Sequence, residues 1–318
     1  MKRTIVTGAA GFLGSHLCKQ LLHLGCEVVG LDNLSTGRME NVADLEGVGA
    51  FRFLLCDIAD AAVLNLEETE GAHEIYHLAS PASPKFYREM PLQTIAANTV
   101  GTRHMLELAN KHKAKLVYTS TSEAYGDPKV HPQHESYRGS VHTWGPRACY
   151  DESKRLGETI CYEYFKRFQV EVKVARLFNT YSAGLRNDDG RVISNFVNQA
   201  IEGEAITVYG DGSQTRSFCY VDDTIRGLIR MMEADNATGE IINIGNPVEH
   251  SVLEVAKLVK RLAESSSAIT FLPLPEDDPK VRSPVIEKAE FLLGWRPEID
   301  LVEGLTRTIE AYRNDHKK

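Results

Sequence analysis

Tyr150 and Lys154 lie four residues apart in the segment GPRACYDESKR, residues 145–155. If this segment begins a helix, both side chains leave the same face, one turn apart. A nearby ammonium ion lowers the pKa of a phenol, so we expect Tyr150 to take a proton from a substrate hydroxyl near neutral pH. The alternative is a tyrosine that packs against the helix beside a solvated lysine. Because the spacing is short, the choice depends on what surrounds this pair.

A glycine-rich turn near the start of the chain has the form of a phosphate-binding turn. Residues 4–7 predict a strand, Gly8, Gly11 and Gly14 follow, and residues 15–24 predict an amphipathic helix. Glycines permit a tight turn and a close approach of the backbone to a pyrophosphate, which then meets the positive end of the helix. This pattern favours dinucleotide binding over an ordinary β-α-β unit with a glycine turn.

Two acidic residues end the next two predicted strands. Asp32 follows residues 26–31, at about the spacing of the acid that binds an adenosine ribose. A carboxylate there accepts hydrogen bonds from the ribose hydroxyls and repels a 2′-phosphate, so we expect NAD rather than NADP. Asp57 follows residues 51–55, where it either lies against the adenine or caps the following helix.

Small and polar residues follow two further predicted strands. The segment ASPASP, residues 79–84, suits a wall where backbone and ligand meet closely. Thr121, Ser122 and Glu123 follow the strand predicted at residues 115–119. The carboxyl end of a parallel strand is where an active-site crevice is expected. The alternative for the hydroxyls is capping of the next turn, whereas a carboxylate at such a place is either solvated or functional.

The composition excludes several classes of protein. A net charge of −8 over 318 residues argues against a nucleic-acid partner. The 11 histidines are scattered, and the six cysteines include no CxxC pair, so we expect no metal site and no disulfide framework. Reduced thiols and the absence of a long apolar run favour a cytoplasmic location without a membrane span.

The alternation of strands and helices predicts an α/β fold: a Rossmann-type doubly wound parallel sheet with a smaller C-terminal mixed α/β substrate lobe. We place the dinucleotide-binding domain at residues 1–182, with return segments around 218–248, and the substrate lobe at 183–318. Arg191, Arg216 and Arg282 are candidates for binding a diphosphate, although surface salt bridging is the plainer explanation for any one of them.

Longer motifs carry a resemblance to a known family. The glycine turn, the TSTSE segment and the Tyr150/Lys154 pair resemble the extended short-chain dehydrogenase/reductase superfamily. Nearly the whole chain resembles the UDP-glucuronic acid decarboxylases, also called UDP-xylose synthases, through the segments LASPASP, STSEAYGDP, GPRACYDESKR, FNTY, DGRVISNF, TVYGDGSQTRSF and INIGNP.

The resemblance implies NAD as cofactor, a UDP-sugar as substrate and a homodimer formed through helices at 91–111 and 150–168. Tyr150, assisted by Lys154, would take the proton from the sugar 4-hydroxyl while carbon 4 gives hydride to NAD. The resulting ketone lies β to the carboxylate, so carbon dioxide is lost readily and the hydride then returns. Thr121 would bind the 4-oxygen, and Ser122 and Glu123 would place the ring and handle proton transfer at carbon 5.

The matching positions assign the remaining site residues. The NAD positions are Gly8, Gly11, Phe12, Leu13, Gly14, Asp32, Asn33, Asp57, Ile58, Leu78, Ala79, Asn98, Thr119, Tyr150 and Lys154. The UDP-sugar positions are Tyr87, Arg88, Asn179, Arg191, Tyr209, Arg216 and Arg282.

The chain departs from the family at a few places, which affects substrate handling more than the redox centre. Lys85 and Phe86 replace the usual run after SPASP, and Ala124 replaces a bulkier apolar residue. In residues 181–184 an arginine of the family is absent or displaced to Arg186.

Two other functions stay open. A UDP-glucuronic acid 4-epimerase would use the same redox residues and keep the carboxylate, and Glu123 favours decarboxylation because related epimerases tend to have a small residue there. A non-catalytic NAD-binding scaffold would not need Thr121, Tyr150 and Lys154 together.

Overall fold

The computed structural model describes residues 1–186, 189–274 and 281–315. Its strands are β1 (Arg3–Thr7), β2 (Glu27–Asp32), β3 (Phe51–Leu55), β4 (Glu74–His77), β5 (Lys115–Thr121), β6 (Val172–Leu177), β7 (Thr180–Tyr181), β8 (Ile206–Tyr209), β9 (Thr215–Ser217), β10 (Cys219–Tyr220), β11 (Ile241–Ile244), β12 (Glu249–Ser251) and β13 (Ile269–Leu272). Its helices are α1 (Phe12–His23), α2 (Pro84–Glu89), α3 (Pro91–Ala96), α4 (Thr102–His112), α5 (Ala148–Phe168), α6 (Val192–Glu202), α7 (Val221–Glu233), α8 (Val252–Leu262), α9 (Glu287–Leu293) and α10 (Leu301–Asp315).

A seven-stranded sheet with the order β11-β6-β5-β4-β1-β2-β3 forms the centre of the molecule. All of its strand pairs are parallel. Residues such as Ile5, Val6 and Ile75 are fully buried, as expected for strands with helices on both faces. The strand order reverses between β1 and β4, so the crevice for a ligand lies at the carboxyl ends of these strands. The predicted α/β fold is confirmed.

Short strand pairs and three helices form the smaller part of the structure. The pairs are β7 with β10, β9 with β12 and β8 with β13. They pack with α6, α8 and α10 around a core that includes Val197, Val255 and Leu305. Strand β11 returns to the large sheet beside β6. The division of the chain into two domains at residue 182 stays a prediction.

The segment predicted as a helix over residues 91–111 has both buried and exposed apolar side chains. It consists of α3, a π-helical turn over Ala97–Gly101, and α4. Met105, Leu106 and Leu108 face the sheet, whereas Ile95 and Val100 are exposed. The apolar side chains of this segment are therefore divided between the sheet and the surface.

Among the residues that the structure describes, no helix is long and apolar enough to cross a bilayer. No group of three metal-binding side chains occurs in that part of the chain. The six cysteines are free thiols.

Candidate active site

A cavity of about 570 Å³ lies at the carboxyl ends of the parallel strands and extends to the smaller lobe. Every predicted site residue except Asn98 lines it. The sheet therefore brings together residues that lie far apart in the sequence, from Gly8 to Arg282.

The glycine turn between β1 and α1 allows very little space for side chains. Gly8 has a φ of +72°, and a Cβ there would lie 3.0 Å from the backbone of Ala79. A Cβ on Gly14 would lie 1.9 Å from the carbonyl oxygen of Gly8. The backbone is thus free of side chains where helix α1 begins, which is the shape that a pyrophosphate group requires. The residues present fit a dinucleotide.

Asp32 ends β2 on the cavity wall and is largely buried. One carboxylate oxygen accepts a hydrogen bond from the Ala10 amide at 3.0 Å, and the other accepts one from the Leu34 amide at 2.8 Å. Burial raises the pKa of Asp32, while these backbone hydrogen bonds oppose the change. The carboxylate therefore shapes the turn as well as lining the cavity.

Asp57 lies at the cavity wall and does not cap the following helix, because Asp60 is the N-cap there. It lines the cavity with Asn33 and Ile58. One of its oxygens accepts a hydrogen bond from the Ala59 amide at 2.8 Å, and the other accepts one from the Asn33 side chain at 3.1 Å. The hydrogen bond between the two side chains thus holds Asp57 and Asn33 together at the cavity wall, and the contact with an adenine stays a prediction.

Tyr150 and Lys154 lie in the first turns of α5, and both are buried. The Lys154 ammonium donates to the Thr119 carbonyl oxygen at 2.8 Å and lies 5.0 Å from the centre of the Tyr118 ring. Burial lowers the pKa of Lys154 to about 7. It raises the pKa of Tyr150 to about 12, although a hydrogen bond with Thr121 opposes this change. The expected lowering of the Tyr150 pKa is therefore wrong for the protein chain alone, because burial has the largest effect on it and raises it.

Thr121 lies at the end of β5 and serves two neighbours. Its hydroxyl accepts a hydrogen bond from the Glu123 amide at 3.2 Å, which caps a 3₁₀ turn over Ser122–Tyr125. It also shares the hydrogen bond with Tyr150. The capping alternative and the catalytic interpretation are thus compatible, since one hydroxyl faces both groups.

Glu123 lies between two guanidinium groups. Arg147 donates to its Oε2 at 2.6 Å, while Arg282 forms a two-pronged ion pair that includes an Nη2–Oε2 contact of 2.9 Å. Burial would raise the pKa of Glu123, but the charges and hydrogen bonds of both arginines lower it to about 2. The carboxylate is therefore ionised at neutral pH, and its predicted role in placing the ring and in proton transfer at carbon 5 stays a prediction.

Arg282 differs from its predicted role. It lines the cavity, but its guanidinium binds Glu123 instead of projecting freely as a diphosphate ligand. The physical reason is the ionised carboxylate beside it, since a planar guanidinium matches two carboxylate oxygens. We therefore place Arg282 with the reacting end of the cavity.

Asn98 also differs from prediction. It lies in the π-helical turn before α4, is fully buried and donates to the Ser153 hydroxyl at 2.9 Å. This contact holds it behind α5 and away from the cavity wall. A direct cofactor contact of its side chain is not supported, although it supports the helix that carries Tyr150.

The ring of Tyr150 is covered on one side by a second aromatic ring. The ring of Tyr87, from α2, stacks on that of Tyr150 with centroids 5.1 Å apart and planes within 10°. Its neighbour Arg88 also lines the cavity. The Arg186 guanidinium lies 5.1 Å from the centre of the Phe86 ring on the same wall. Arg186, the residue to which the resemblance allows the family arginine to be displaced, therefore lies on the cavity wall.

The opposite end of the cavity belongs to the smaller lobe. Asn179 donates to the Ser217 carbonyl oxygen at 3.4 Å, and Arg191 pairs with Asp189 at 3.0 Å. Tyr209 is partly exposed, whereas Arg216 is buried. These side chains offer cations and one aromatic ring in the same cavity, and the charge of Arg191 also acts, against burial, to lower the pKa of Tyr150.

Residues 4–245 match the NAD dependent epimerase/dehydratase family. The chain belongs to this family. It is 49% identical over 314 residues to UDP-glucuronic acid decarboxylase 1 from Danio rerio, covering 99% of this chain and 73% of that protein. UDP-glucuronic acid decarboxylase 3 from Arabidopsis thaliana is 46% identical over 312 residues, covering 98% of this chain and 89% of the relative.

Solved structures in the epimerase/dehydratase family have the same fold. A UDP-glucuronic acid 4-epimerase from Bacillus cereus, in complex with UDP-glucuronic acid and NAD, superimposes with a TM-score of 0.89 at 31% identity. The match covers 98% of this chain and 99% of the epimerase. The family name agrees with the cofactor predicted from the glycine turn and Asp32.

Two members of this epimerase/dehydratase site were not found from the sequence. Arg147 lies three residues before Tyr150 and binds Glu123, and Asp151 lies 3.9 Å from Arg147. Burial and the charge of Glu123 raise the pKa of Asp151 to about 7. Their position in the first turn of the helix that carries Tyr150 was the available signal.

Proposed function

We propose that this chain converts UDP-glucuronic acid to UDP-xylose and carbon dioxide through a 4-keto intermediate, with NAD regenerated in each turnover. The observation that carries this proposal is similarity over nearly the whole chain to UDP-glucuronic acid decarboxylases, at 46–49% identity. The structurally similar 4-epimerase is only 31% identical.

The residues around Tyr150 suit proton removal from the sugar 4-hydroxyl. NAD, when bound in its oxidised form, supplies a hydride acceptor and a positive charge that favours the tyrosine phenolate. Thr121 hydrogen-bonds Tyr150 and is placed to hold the 4-oxygen. Lys154, fixed on the Thr119 carbonyl, keeps an ammonium group under the same site. The ketone formed at carbon 4 lies β to the carboxylate, which makes loss of carbon dioxide favourable.

The Glu123 cluster suits the acidic end of the substrate. Arg147, Arg282 and Glu123 line the cavity. The two arginines carry two positive charges against Glu123 and Asp151, and Asp151 is only partly ionised at neutral pH because burial and Glu123 raise its pKa to about 7. A net positive charge in a largely buried site attracts a carboxylate. The cluster lies beside the turn that carries Thr121, so we infer that it places the carboxylate of the sugar acid near carbon 4 chemistry.

The smaller lobe suits the nucleotide. Arg191 and Arg216 present guanidinium groups, which form paired hydrogen bonds with phosphate oxygens. Tyr209 offers a partly exposed ring for a flat base. We assign the diphosphate to the two arginines, the uracil to the region of Tyr209, and a supporting contact to Asn179.

The deciding experiment follows UDP-glucuronic acid labelled at carbon 6 by NMR. Decarboxylation releases labelled carbon dioxide and leaves a UDP-pentose. Formation of UDP-galacturonic acid would instead identify a 4-epimerase, and absence of turnover with retained NAD binding would identify a scaffold. Tyr150→Phe, which lacks the exchangeable phenol proton, is the control for any conversion that the site does not catalyse.

We further propose a homodimer through α3, α4 and α5. The exposed fractions of Leu92, Leu156 and Tyr162 are 75%, 50% and 56%, which is unusual for large apolar side chains on helices that meet. Light scattering should give twice the chain mass, and Leu156→Glu should lower it. A wild-type monomer would contradict this assignment. The cytoplasmic location stays a prediction that cell fractionation would test.

A further inference from the structure

The segment that carries Arg282 is held by one buried glutamine. The side-chain oxygen of Gln133 accepts a hydrogen bond from the Ser283 backbone amide at 3.0 Å. The backbone amide of Gln133 donates to the Ser283 carbonyl oxygen at 2.8 Å. The Gln133 carbonyl accepts from the Val285 amide at 2.8 Å. Its side-chain nitrogen donates to the Val130 carbonyl at 2.8 Å. Three polar atoms of this fully buried residue thus hold Ser283 and Val285, which lie one and three residues after Arg282, and a fourth binds Val130.

Asn243, on β11, joins this segment to the turn that carries Glu123. Its side-chain nitrogen donates to the carbonyl oxygens of Gln133 and Val285, each at 3.1 Å. Its side-chain oxygen accepts from the Tyr125 hydroxyl at 2.7 Å. Tyr125 ends the 3₁₀ turn that contains Glu123. One amide group therefore contacts the supports of both members of the ion pair.

These hydrogen bonds fix the position of Arg282 relative to Glu123. Glu123 and Arg282 are 159 residues apart in the sequence, and a two-pronged ion pair requires both to be held in register. Neither Gln133 nor Asn243 is among the described residues that line the cavity. Any influence they have on the reaction is therefore exerted through the ion pair.

We propose that Gln133 and Asn243 are positioning residues that hold Arg282 against Glu123 for the decarboxylation of the proposed function. Tyr150, Lys154 and Thr121 serve oxidation at carbon 4, and the ion pair serves the steps that follow it. Loosening Gln133 or Asn243 leaves oxidation intact and slows the later steps, so the enzyme accumulates with reduced cofactor. A misplacement of about 1 Å is enough to slow such a step strongly.

The test compares Gln133→Met with the wild type. Methionine keeps the side-chain length and the backbone hydrogen bonds but removes the contacts of the amide with Ser283 and Val130. The measured quantity is the ratio of enzyme-bound NADH to UDP-pentose formed in a single turnover of UDP-glucuronic acid. We expect this ratio to rise roughly tenfold. Arg282→Gln gives the reference value for complete loss of the ion pair.

Asn198→Ala is the matched control, because Asn198 is also a buried amide but bonds to Ser194 within its own helix. It should lower thermal stability without changing the ratio. An unchanged ratio in Gln133→Met, with a raised one in Arg282→Gln, would overturn the proposal. An equal rise in Asn198→Ala would overturn it too, because general destabilisation would then explain the result.

Two further measurements apply if Gln133→Met does not fold or if the wild type forms no UDP-pentose. If Gln133→Met does not fold, Tyr125→Phe removes the contact of Asn243 with the turn of Glu123 and should raise the ratio, whereas an unchanged ratio would refute the role of Asn243. If the wild type forms no UDP-pentose, the proposed function fails by itself. A crystal structure of either variant then decides the positioning role: an Arg282 guanidinium still paired with both oxygens of Glu123 would refute it.

Discussion

Replacement of Glu123 by glutamine tests the charge cluster directly. Arg282 and Arg147 lower the pKa of Glu123 from 4.5 to about 2. This lowering of the Glu123 pKa on folding corresponds to roughly 3 kcal/mol of stability that the ionised carboxylate contributes. The variant also leaves Arg282, whose side chain is 4% exposed, without its counter-ion. Removal of one partner of a buried pair costs about 3–5 kcal/mol, so both arguments give the same magnitude.

The pH dependence has a defined sign. A carboxylate whose pKa is lowered on folding contributes its full stability above the unfolded value of 4.5 and loses it as the pH falls through about 2. Glu123 itself keeps the difference between wild type and Glu123→Gln constant from neutral pH down to about 5. Because burial and the charge of Glu123 together raise the pKa of Asp151 to about 7, and the variant lacks that charge, the difference should grow as the pH falls from 7 to about 5 and shrink in more acidic solution.

Urea denaturation of both proteins over this pH range measures the difference. Glu163→Gln is the control, because Glu163 also pairs with an arginine, Arg167, but at an exposed place where a salt bridge contributes about 0.5 kcal/mol or less. Equal free energies of unfolding for Glu123→Gln and Glu163→Gln at neutral pH would refute the account of the cluster.

Three other variants examine the cofactor and redox residues. Tyr150→Phe should abolish turnover while NAD still binds, as measured by calorimetry, and retained turnover would remove Tyr150 from the reaction. Gly14→Ala should abolish NAD binding, because its Cβ would lie 1.9 Å from the Gly8 carbonyl oxygen, and wild-type affinity would contradict this. Lys154→Met should be inactive but more stable than the cofactor-free wild type at pH 7, by a few kcal/mol, since burial lowers the lysine pKa from 10.5 to about 7. Between pH 7 and 10.5 the unfolded wild type binds more protons than the folded one, so the stability of the wild type rises with pH. The difference in free energy of unfolding between Lys154→Met and the wild type should therefore narrow as the pH rises to 10.5. A variant less stable than the wild type at pH 7 would contradict the argument.

Local patterns were enough to predict the sheet, the glycine turn and the helix that carries Tyr150. These features depend on residues close together in the chain, such as Gly8 and Gly14 or Tyr150 and Lys154. The strand order then follows from the rules of parallel sheets, which is why Asp32 and Thr121 were placed at the crevice correctly.

Long-range pairings and burial were not predictable in the same way. Nothing near Arg282 in the sequence indicates Glu123 as its partner, because a loop brings the two together only after folding. The raised pKa of Tyr150 depends on how deeply α5 is covered, and the sequence shows only that an ammonium group is nearby. The exposed Ile95 likewise follows from the rotation of α3, which a hydrophobic pattern alone does not determine.

The two hydrogen bonds that Asp32 accepts from the turn have a consequence for protein engineering. The carboxylate that we expect to discriminate against an extra phosphate on the adenosine ribose also binds the amides of Ala10 and Leu34. A change of coenzyme preference by substitution of this one residue would release the loop that must receive the new coenzyme. Redesign would therefore need a second acceptor for those amides, and selection for altered coenzyme use should yield paired changes.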